Sequence, residues 1–289
     1  MAKRQCKKHF PVNTRSVNII TSNWMGYSLS YMNRQWKVAG TYVKGLSHER
    51  QNKDCHDRYS FKYLNNAVSI SLADGAGSAL KPEIGAEIAT KQVNKTVTKE
   101  FDYLFNTDIY SASHKITHAI RTAFGIYAKR YNCNLKDLAT TLLFACVKDN
   151  RYIAGHIGDG ILACLQNDEL IVLSPPDNGE FINETYFITS NSYKTRFRLF
   201  KGNLESVEGF ILMTDGTCES LFDKKEKKVA PIVLTLFDWL DNYPMQEVDA
   251  ALRENFENLI KRKTTDDCSI GMLKLARHDL IIEENDLSN

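Results

Sequence analysis

The sequence lacks three features that would place the protein in a membrane or outside the cell. It has no run of about 18 apolar residues, the length that a membrane-spanning helix needs. Its seven cysteines are odd in number, scattered, and never form a C-x-x-C pair, which argues against a disulfide scaffold and for a reducing compartment. The N-terminal residues are basic but contain no uninterrupted apolar segment, so we expect no secretory signal, no membrane contact and a cytoplasmic protein.

Charge is nearly balanced over the chain but unevenly spread along it. The formal net charge is +2, with 43% apolar and 25% charged residues, which is ordinary for a soluble globular protein. Residues 1–48 hold eight Lys or Arg and no acid, whereas residues 279–289 hold four acids and no base. A basic arm can bind phosphates or nucleic acid, or lie solvated against an acidic surface. The solvated arm is favoured, and no nucleic-acid partner is expected, because no basic repeat is interleaved with aromatic residues.

Apolar patterning predicts a single domain that mixes strands and helices. Strands are predicted at residues 36–43, 58–73 (split by a hairpin at Asn65-Asn66), 139–148, 151–157, 160–165, 169–173, 209–214 and 268–276. Helices are predicted at residues 83–104, 113–131, 217–222, 229–242 and 246–262. No repeat or composition break divides these elements, so we predict a basic N-terminal arm (1–35), one α+β domain (36–277) and an acidic C-terminal tail (278–289).

Aspartates recur where the predicted strands begin or end. They are Asp57, Asp74-Gly75, Asp159-Gly160, Asp215-Gly216 and Asp266-Asp267. Any one of them is an ordinary turn residue, but a sheet gathers its strand ends in space. Clustered carboxylates raise one another's pKa unless a positive charge lies among them. Oxygen ligands without His or Cys at ligand spacing select hard cations, so this pattern predicts a Mg²⁺ or Mn²⁺ site.

The order of these motifs resembles that of the metal-dependent protein phosphatase family, the protein phosphatase 2C family, in its compact bacterial form. The resemblance spans roughly residues 44–274. It is carried by GLSHERQNKDCHDRYSF, SLADGAGSA, LATTLLFACV with the Gly-Asp hairpin GHIGDGILA, PPDNGEFINETYFITS, GFILMTDGTCESL and TTDDCSIGMLKL. Each motif is weak alone, but their order is specific. The fold that the resemblance implies is a four-layer αββα sandwich, with two central, mostly antiparallel sheets flanked by helices.

The resemblance also implies a role for each aspartate. Asp74 would bridge two metal ions, and Gly75 would lend its backbone carbonyl. Asp57 would lie with the second metal, although His56 breaks the acid pair that the family has here. The remaining acids would have three roles: Asp215 and Asp266 would hold the first metal, Asp159 would join Asp215 at a weaker third site, and Asp267 would orient ligands.

The reaction that the resemblance implies is hydrolysis of phosphoserine or phosphothreonine in a protein substrate, opposing a cognate Ser/Thr kinase. Two metal ions would activate a bridging hydroxide for in-line attack on phosphorus. Arg50, Lys53 and Arg58 flank Asp57 and are candidates for holding the substrate phosphate. Family members with a His after Asp-Gly can use it as a general acid. This chain has Ala76 there, so His48 or a metal-bound water would have to serve.

Several alternatives stay open. The fold could serve as a pseudophosphatase, a catalytically weak module that binds a phosphoprotein or acts as a regulator. The same centre could instead hydrolyse a small phosphoester. His114 and His118 stand four apart like half of a zinc site, but Lys115 lies where a metalloprotease has Glu, and a surface pair is favoured. The polar segment 174–192 is either a substrate flap or a structural excursion. The oligomeric state is unknown.

Overall fold

The computed structural model describes residues 35–177 and 185–276. The predicted acidic tail, and the predicted basic arm apart from Gln35, lie outside the described residues, so both stay predictions. Part of the predicted flap, residues 178–184, also lies outside them. Among the described helices, none combines the length and apolar content that crossing a bilayer requires.

The described strands form two five-stranded antiparallel sheets and a short hairpin. The first sheet has the order β1-β12-β9-β6-β7, the second has the order β2-β3-β4-β5-β8, and β10 pairs with β11. The strands are β1 (Trp36–Val43), β2 (Arg58–Leu64), β3 (Ala67–Ala73), β4 (Leu142–Lys148), β5 (Arg151–Ile157), β6 (Ile161–Gln166), β7 (Glu169–Ser174), β8 (Arg198–Asn203), β9 (Val207–Met213), β10 (Phe222–Asp223), β11 (Lys228–Val229) and β12 (Cys268–Leu275).

The helices lie between these strands in the chain. They are α1 (Leu46–Arg50), α2 (Pro82–Lys99), α3 (Phe101–Asn106), α4 (Ile109–Tyr131), α5 (Tyr193–Arg196), α6 (Asp215–Leu221), α7 (Ile232–Asn242) and α8 (Met245–Asn255). Residues 135–138 form a 3₁₀ turn. A π-helical turn, Phe256–Ile260, and a 3₁₀ turn, Lys261–Lys263, follow α8.

Three apolar clusters join the layers. Ile70 of the second sheet packs with Phe210 of the first in the space between the two sheets. Helices α2 and α4 cover the outer face of the second sheet, and α7 and α8 cover that of the first. Strands β3 and β4 are buried on both faces, which is why they read as near-continuous apolar runs. The predicted α+β class and αββα sandwich are confirmed.

Local details confirm some boundaries and correct others. Asn65 and Asn66 both have positive φ, as the predicted two-residue hairpin requires. The helix predicted at 83–104 is two helices, because α2 ends at Lys99 and α3 begins at Phe101. The helix predicted from residue 113 begins earlier, at Ile109, because the Asp108 side chain accepts a hydrogen bond from the Ser111 amide at 2.9 Å and caps the helix.

Strands β8, β10 and β11 were not predicted. The hairpin expected at Asp159 is wrong, because the chain crosses between sheets there: β5 belongs to the second sheet and β6 to the first. The helix predicted at 246–262 ends at Asn255 and continues as the π and 3₁₀ turns. Residues 158–160 cross from the second sheet to the first. This crossing places Asp159 near acids that follow strands of both sheets.

Candidate metal centre

Three aspartates from separate parts of the chain meet at one end of the sandwich. Asp74 follows β3, Asp159 lies between β5 and β6, and Asp215 follows β9. One carboxylate oxygen of each lies within 4.8 Å of those of the other two. Antiparallel pairing explains the meeting, because Met213 at the end of β9 pairs with Ile161 at the start of β6. The structure therefore brings together three of the predicted metal ligands.

The backbone of Asp74 is held by the two threonines of the motif ATTLL. The Asp74 amide donates to Oγ1 of Thr141 at 2.9 Å. Its carbonyl accepts from Oγ1 of Thr140 at 2.8 Å and from the Thr141 amide at 2.9 Å. These bonds satisfy the main chain of Asp74 and leave its carboxylate to face the other acids.

Gly75 is required by close packing. A Cβ atom at this position would lie 2.4 Å from the carbonyl oxygen of Pro82, the first residue of α2. Glycine therefore lets helix α2 begin directly against the strand end that carries Asp74. The predicted use of the Gly75 carbonyl as a metal ligand stays a prediction.

Asp57 is buried beside the same group of acids and is fixed by Thr214. It is 1% exposed, and its Oδ2 accepts a hydrogen bond from Oγ1 of Thr214 at 2.8 Å. The same hydroxyl oxygen accepts from the Ser269 amide of β12 at 3.1 Å. Thr214 is also the residue before Asp215, so one side chain ties together three segments that contribute acids.

Asp267 is a buried carboxylate that accepts hydrogen bonds from the chain before β2. It is 2% exposed, and its Oδ1 accepts from the Gly45 amide at 2.6 Å. Its Oδ2 accepts from the His56 amide at 2.5 Å and lies 2.9 Å from Nδ1 of His48. Asp267 thus fastens the segment before β2 to the start of β12, next to Asp266.

Burial, and after it the neighbouring negative charges, raises the pKa of carboxyl groups at this centre. Burial is the first cause of the raised pKa of Asp74, and the charges of Asp57, Asp215, Asp266 and Asp159 add to it. Burial and then Asp159 and Asp266 raise the pKa of Asp215 to about 7. Burial and then Asp267 raise the pKa of Asp57, against the Thr214 hydrogen bond. Ionised carboxylates at this density need a compensating positive charge.

The residues present fit a hard divalent cation. Asp159 Oδ2 accepts from Oγ1 of Thr185 at 2.6 Å. Its Oδ1 is buried and has no hydrogen-bond partner within residues 35–177 and 185–276. A buried anionic oxygen without a donor is costly unless a cation binds it. Because the grouped ligands are carboxylate oxygens, Mg²⁺ or Mn²⁺ suits them better than a softer metal.

The structure gives the candidate phosphate-binding cations different surroundings. Arg58 donates through one terminal nitrogen to the carbonyls of Cys55 at 2.6 Å and Asp57 at 2.8 Å. Its guanidinium also lies 5.3 Å from the Tyr42 ring centroid. These contacts brace the loop that carries Asp57. Arg50 and Lys53, in contrast, are exposed.

The histidines fall into two places. His48 and His56 lie beside Asp267 with their rings tilted by 47° and the ring centroids 4.0 Å apart, and burial together with His48 lowers the pKa of His56. His114 and His118 lie on α4, far from the acids in sequence, and line an open groove of about 530 Å³ with Tyr103. Within the described part of the chain, they belong to no group of three metal-ligating side chains.

Sequence reasoning missed the threonines that hold the acids. Thr140, Thr141 and Thr214 were read only as parts of motifs, and Thr185 was read as part of a flap. A usable signal for Thr214 was its place directly before Asp215, because Ser and Thr commonly precede the first residue of a helix. Asp266 is close enough for its charge to raise the pKa of Asp74 and Asp215, and the residue is exposed.

Comparison with known proteins identifies the family. The family model described as protein phosphatase 2C matches residues 44–257. Serine/threonine-protein phosphatase 3 of Escherichia coli (strain K12) is 26% identical over 190 residues, which cover 63% of this chain and 73% of that protein.

Solved structures of bacterial phosphatases share the fold. Serine/threonine phosphatase Stp1 from Staphylococcus aureus superposes with a TM-score of 0.54 and 14% identity, covering 88% of this chain and 100% of that one. The S. agalactiae serine/threonine phosphatase gives a TM-score of 0.58 and 13% identity, covering 83% of this chain and 100% of that one. With a family match over more than half of its length, the chain belongs to the protein phosphatase 2C family.

Proposed function

We propose that the protein is a metal-dependent serine/threonine protein phosphatase that hydrolyses phosphomonoesters. The observation that carries the proposal is the meeting of Asp74, Asp159 and Asp215 within 4.8 Å, in surroundings that raise the pKa of two of them. A phosphorylated protein is the proposed substrate, with a cognate Ser/Thr kinase as the opposing enzyme and the cytoplasm as the compartment.

The proposed metal ligands are the acids at this end of the sandwich. Two Mn²⁺ or Mg²⁺ ions, with a weaker third, would be held by Asp57, Asp74, the Gly75 carbonyl, Asp215, Asp266 and Asp159. When bound, such ions lower the pKa of water and bind phosphate oxygens for in-line displacement. The threonines keep the acids in place: Thr140 and Thr141 hold Asp74, and Thr214 holds Asp57.

The chain's other residues have positioning and proton-transfer roles in this proposal. Arg50 and Lys53 are exposed cations that can meet a phosphate dianion, whereas Arg58 braces the Asp57 loop. His48 Nδ1 lies against Asp267, so Nε2 is the ring atom left to protonate the leaving oxygen. Ala76 is 6% exposed and has no acid–base group, so it cannot take the role of the family's histidine.

No observation favours the binding-only alternative. Crowded carboxylates with raised pKa values destabilise a metal-free fold, and a module that only binds phosphoproteins gains nothing from them. The small-phosphoester alternative shares the same centre, so a choice of substrates distinguishes it from protein phosphatase activity.

The test is hydrolysis of a phosphothreonine peptide by metal-stripped protein titrated with Mn²⁺ and with Mg²⁺. We expect metal-dependent phosphate release that falls about 10³-fold in Asp74→Asn, because that change removes a charge from the centre of the site. The matched control is Asp238→Asn, which removes the same charge from the exposed surface of α7 and should leave the rate unchanged.

Calorimetry of metal binding separates the other outcomes. Binding of Mn²⁺ without peptide hydrolysis, but with hydrolysis of small phosphoesters, would favour the small-substrate alternative. Absence of both metal binding and turnover would overturn the proposed phosphatase and leave the binding module.

A further inference from the structure

A hairpin directly after α6 displays four lysines on a fixed turn. Lys224, Lys225, Lys227 and Lys228 lie between Phe222 and Val229 and are all exposed. Phe222 is 9% exposed and Val229 is 6% exposed, so both ends of the hairpin are anchored in the core beneath α7. At the tip, Oδ1 of Asp223 accepts from the amides of Lys225 and Glu226, both at 2.9 Å. The cations therefore project from an ordered turn.

Helix α6 connects this hairpin to the group of acids. Helix α6 begins at Asp215 and has seven residues, so it is about 10 Å long and leads from the centre to the hairpin. The buried thiol of Cys218, on α6, is close enough to charged groups at both ends of the helix for them to affect its pKa. Burial raises its pKa, Asp215 and Asp159 raise it further, and Lys224 lowers it.

A second cationic element flanks the same helix. The 3₁₀ turn Lys261–Lys263 packs against α6 and ends three residues before Asp266. Lys261 is 8% exposed and is paired with Glu49 at 2.5 Å and Glu257 at 2.9 Å, which fixes the turn. Arg262 and Lys263 are exposed. We call the six exposed cations the basic rim: Lys224, Lys225, Lys227, Lys228, Arg262 and Lys263.

The six cations of the basic rim form no ion pairs within the described part of the chain, residues 35–177 and 185–276. Lys261, the neighbour that does pair, shows what a structural cation in this region looks like. Cations that stay unpaired beside a centre of carboxylates are available to an anionic partner.

We propose that the basic rim binds an acidic segment of the phosphoprotein substrate, on one side of the phosphorylated residue. The inference rests on the proposed phosphatase function. An acidic segment would be repelled by the carboxylates of the centre, and a cationic rim reverses the sign of the field along its approach. Since about 10 Å of α6 corresponds to roughly three extended residues, the bound acids are those three or more residues from the phosphothreonine.

The experiment compares two phosphothreonine peptides of equal length, one with four acids beginning three residues from the phosphothreonine and one with glutamines there. The test variant is K224Q/K225Q/K228Q, which keeps Lys227 because its φ is positive. The matched control is K95Q/K99Q/K129Q, which removes three exposed lysines from α2 and α4. p-Nitrophenyl phosphate reports the centre without any flanking segment.

We expect the wild-type protein to have a kcat/KM about tenfold higher for the acidic peptide, mainly through KM, and to lose this preference in 0.5 M salt. The test variant should lose the preference and keep its rate on p-nitrophenyl phosphate within twofold, and the control variant should keep both. Equal kcat/KM for the two peptides in the wild type would overturn the proposal. So would an equal loss on all three substrates in the test variant.

A binding measurement keeps the inference testable if no turnover is found. Fluorescence anisotropy of the labelled acidic peptide is measured with Asp74→Asn protein, with and without the three lysine changes. Weaker binding on loss of the lysines supports the rim. Unchanged binding overturns it, as does lysine-dependent binding of a labelled oligouridylate that is tighter than that of the acidic peptide. Failure of the phosphatase assay alone contradicts the proposed function and not this surface.

Discussion

Asp266 and Asp267 are neighbours directly before β12, yet their surroundings are opposite. The Asp267 carboxylate is buried and accepts from the amides of Gly45 and His56, with His48 Nδ1 at 2.9 Å. Asp266 accepts one bond, from the Asp267 amide at 2.9 Å, and partial desolvation raises its pKa. A carboxylate surrounded by donors holds the chain in place, and one surrounded by acids needs a cation.

Asp266 and Asp267 should differ most in how much each contributes to the stability of the metal-free protein. We expect Asp267→Ala to lower the free energy of unfolding by about 3 kcal/mol, because it leaves buried N–H donors without an acceptor. Asp266→Ala should cost less than about 0.5 kcal/mol, since it removes a charge that its neighbours disfavour. Urea denaturation in the presence of a chelator measures both.

The matched change Asp267→Asn sharpens this comparison. An amide oxygen can still accept from one or two of the donors, so about half of the loss should return. Equal losses for Asp266→Ala and Asp267→Ala would show that the two carboxylates do not differ in the way that their hydrogen bonds indicate.

The contrast between Asp266 and Asp267 also shows which features of the site could be predicted from the sequence alone. Each buried strand that ends on an aspartate was visible as an apolar run followed by Asp-Gly, and the order of these motifs implied the sandwich. What the sequence did not show is which acids receive hydrogen bonds. The amide that Asp267 holds at Gly45 is 222 residues away in the chain, and no local pattern encodes such a contact.

Strand β8 was missed for a different reason. It lies at the edge of the second sheet, pairs only with β5 among the described strands, and carries Arg198, Lys201 and Asn203 in a six-residue run. A polar, half-exposed edge strand lacks the apolar alternation on which strand prediction depends. The sheet crossing at Asp159 was missed because a short Gly-Asp-Gly connection looks the same whether it joins one sheet or two.

The stability of the metal-free protein should depend on pH through Asp215. The pKa of Asp215 is about 7 in the folded state and about 3.9 in an unfolded chain, so between these values the folded protein binds more protons. Its contribution to stability is therefore present below about pH 4 and is lost as pH rises toward 7. We expect the stability of Asp215→Asn relative to the wild type to rise by about 3 kcal/mol between pH 4.5 and 7.5.

Urea denaturation of the two proteins across that pH range measures the difference, which removes the contributions of other titrating groups. Added Mn²⁺ should reverse the sign at pH 7.5, because the wild type then gains binding free energy that the variant lacks. If the difference in stability between the two proteins does not change with pH, then burial and the neighbouring carboxylates do not raise the pKa of Asp215.

The smallest expected effect tests the link between a structural contact and the acids. Thr214→Val removes the hydroxyl that donates to Asp57 Oδ2 and accepts from the Ser269 amide. We expect a loss of about 1 kcal/mol in the free energy of unfolding. Thr117→Val is the control and should cost less, because that buried hydroxyl donates only within its own helix, to the carbonyls of Ser113 at 2.8 Å and His114 at 3.2 Å.

Measuring metal binding shows whether the hydrogen bond from Thr214 to Asp57 supports a metal ligand or only the fold. Side chains that hydrogen-bond to metal ligands typically affect metal affinity by at least about tenfold. If Asp57 is a ligand, Thr214→Val should therefore weaken Mn²⁺ binding by at least about tenfold. Calorimetric titration of Mn²⁺ into both proteins measures the ratio. If stability falls but Mn²⁺ affinity does not, Asp57 belongs with Asp267 as a carboxylate that holds the chain in place, and Asp74, Asp159, Asp215 and Asp266 must hold the ions without it.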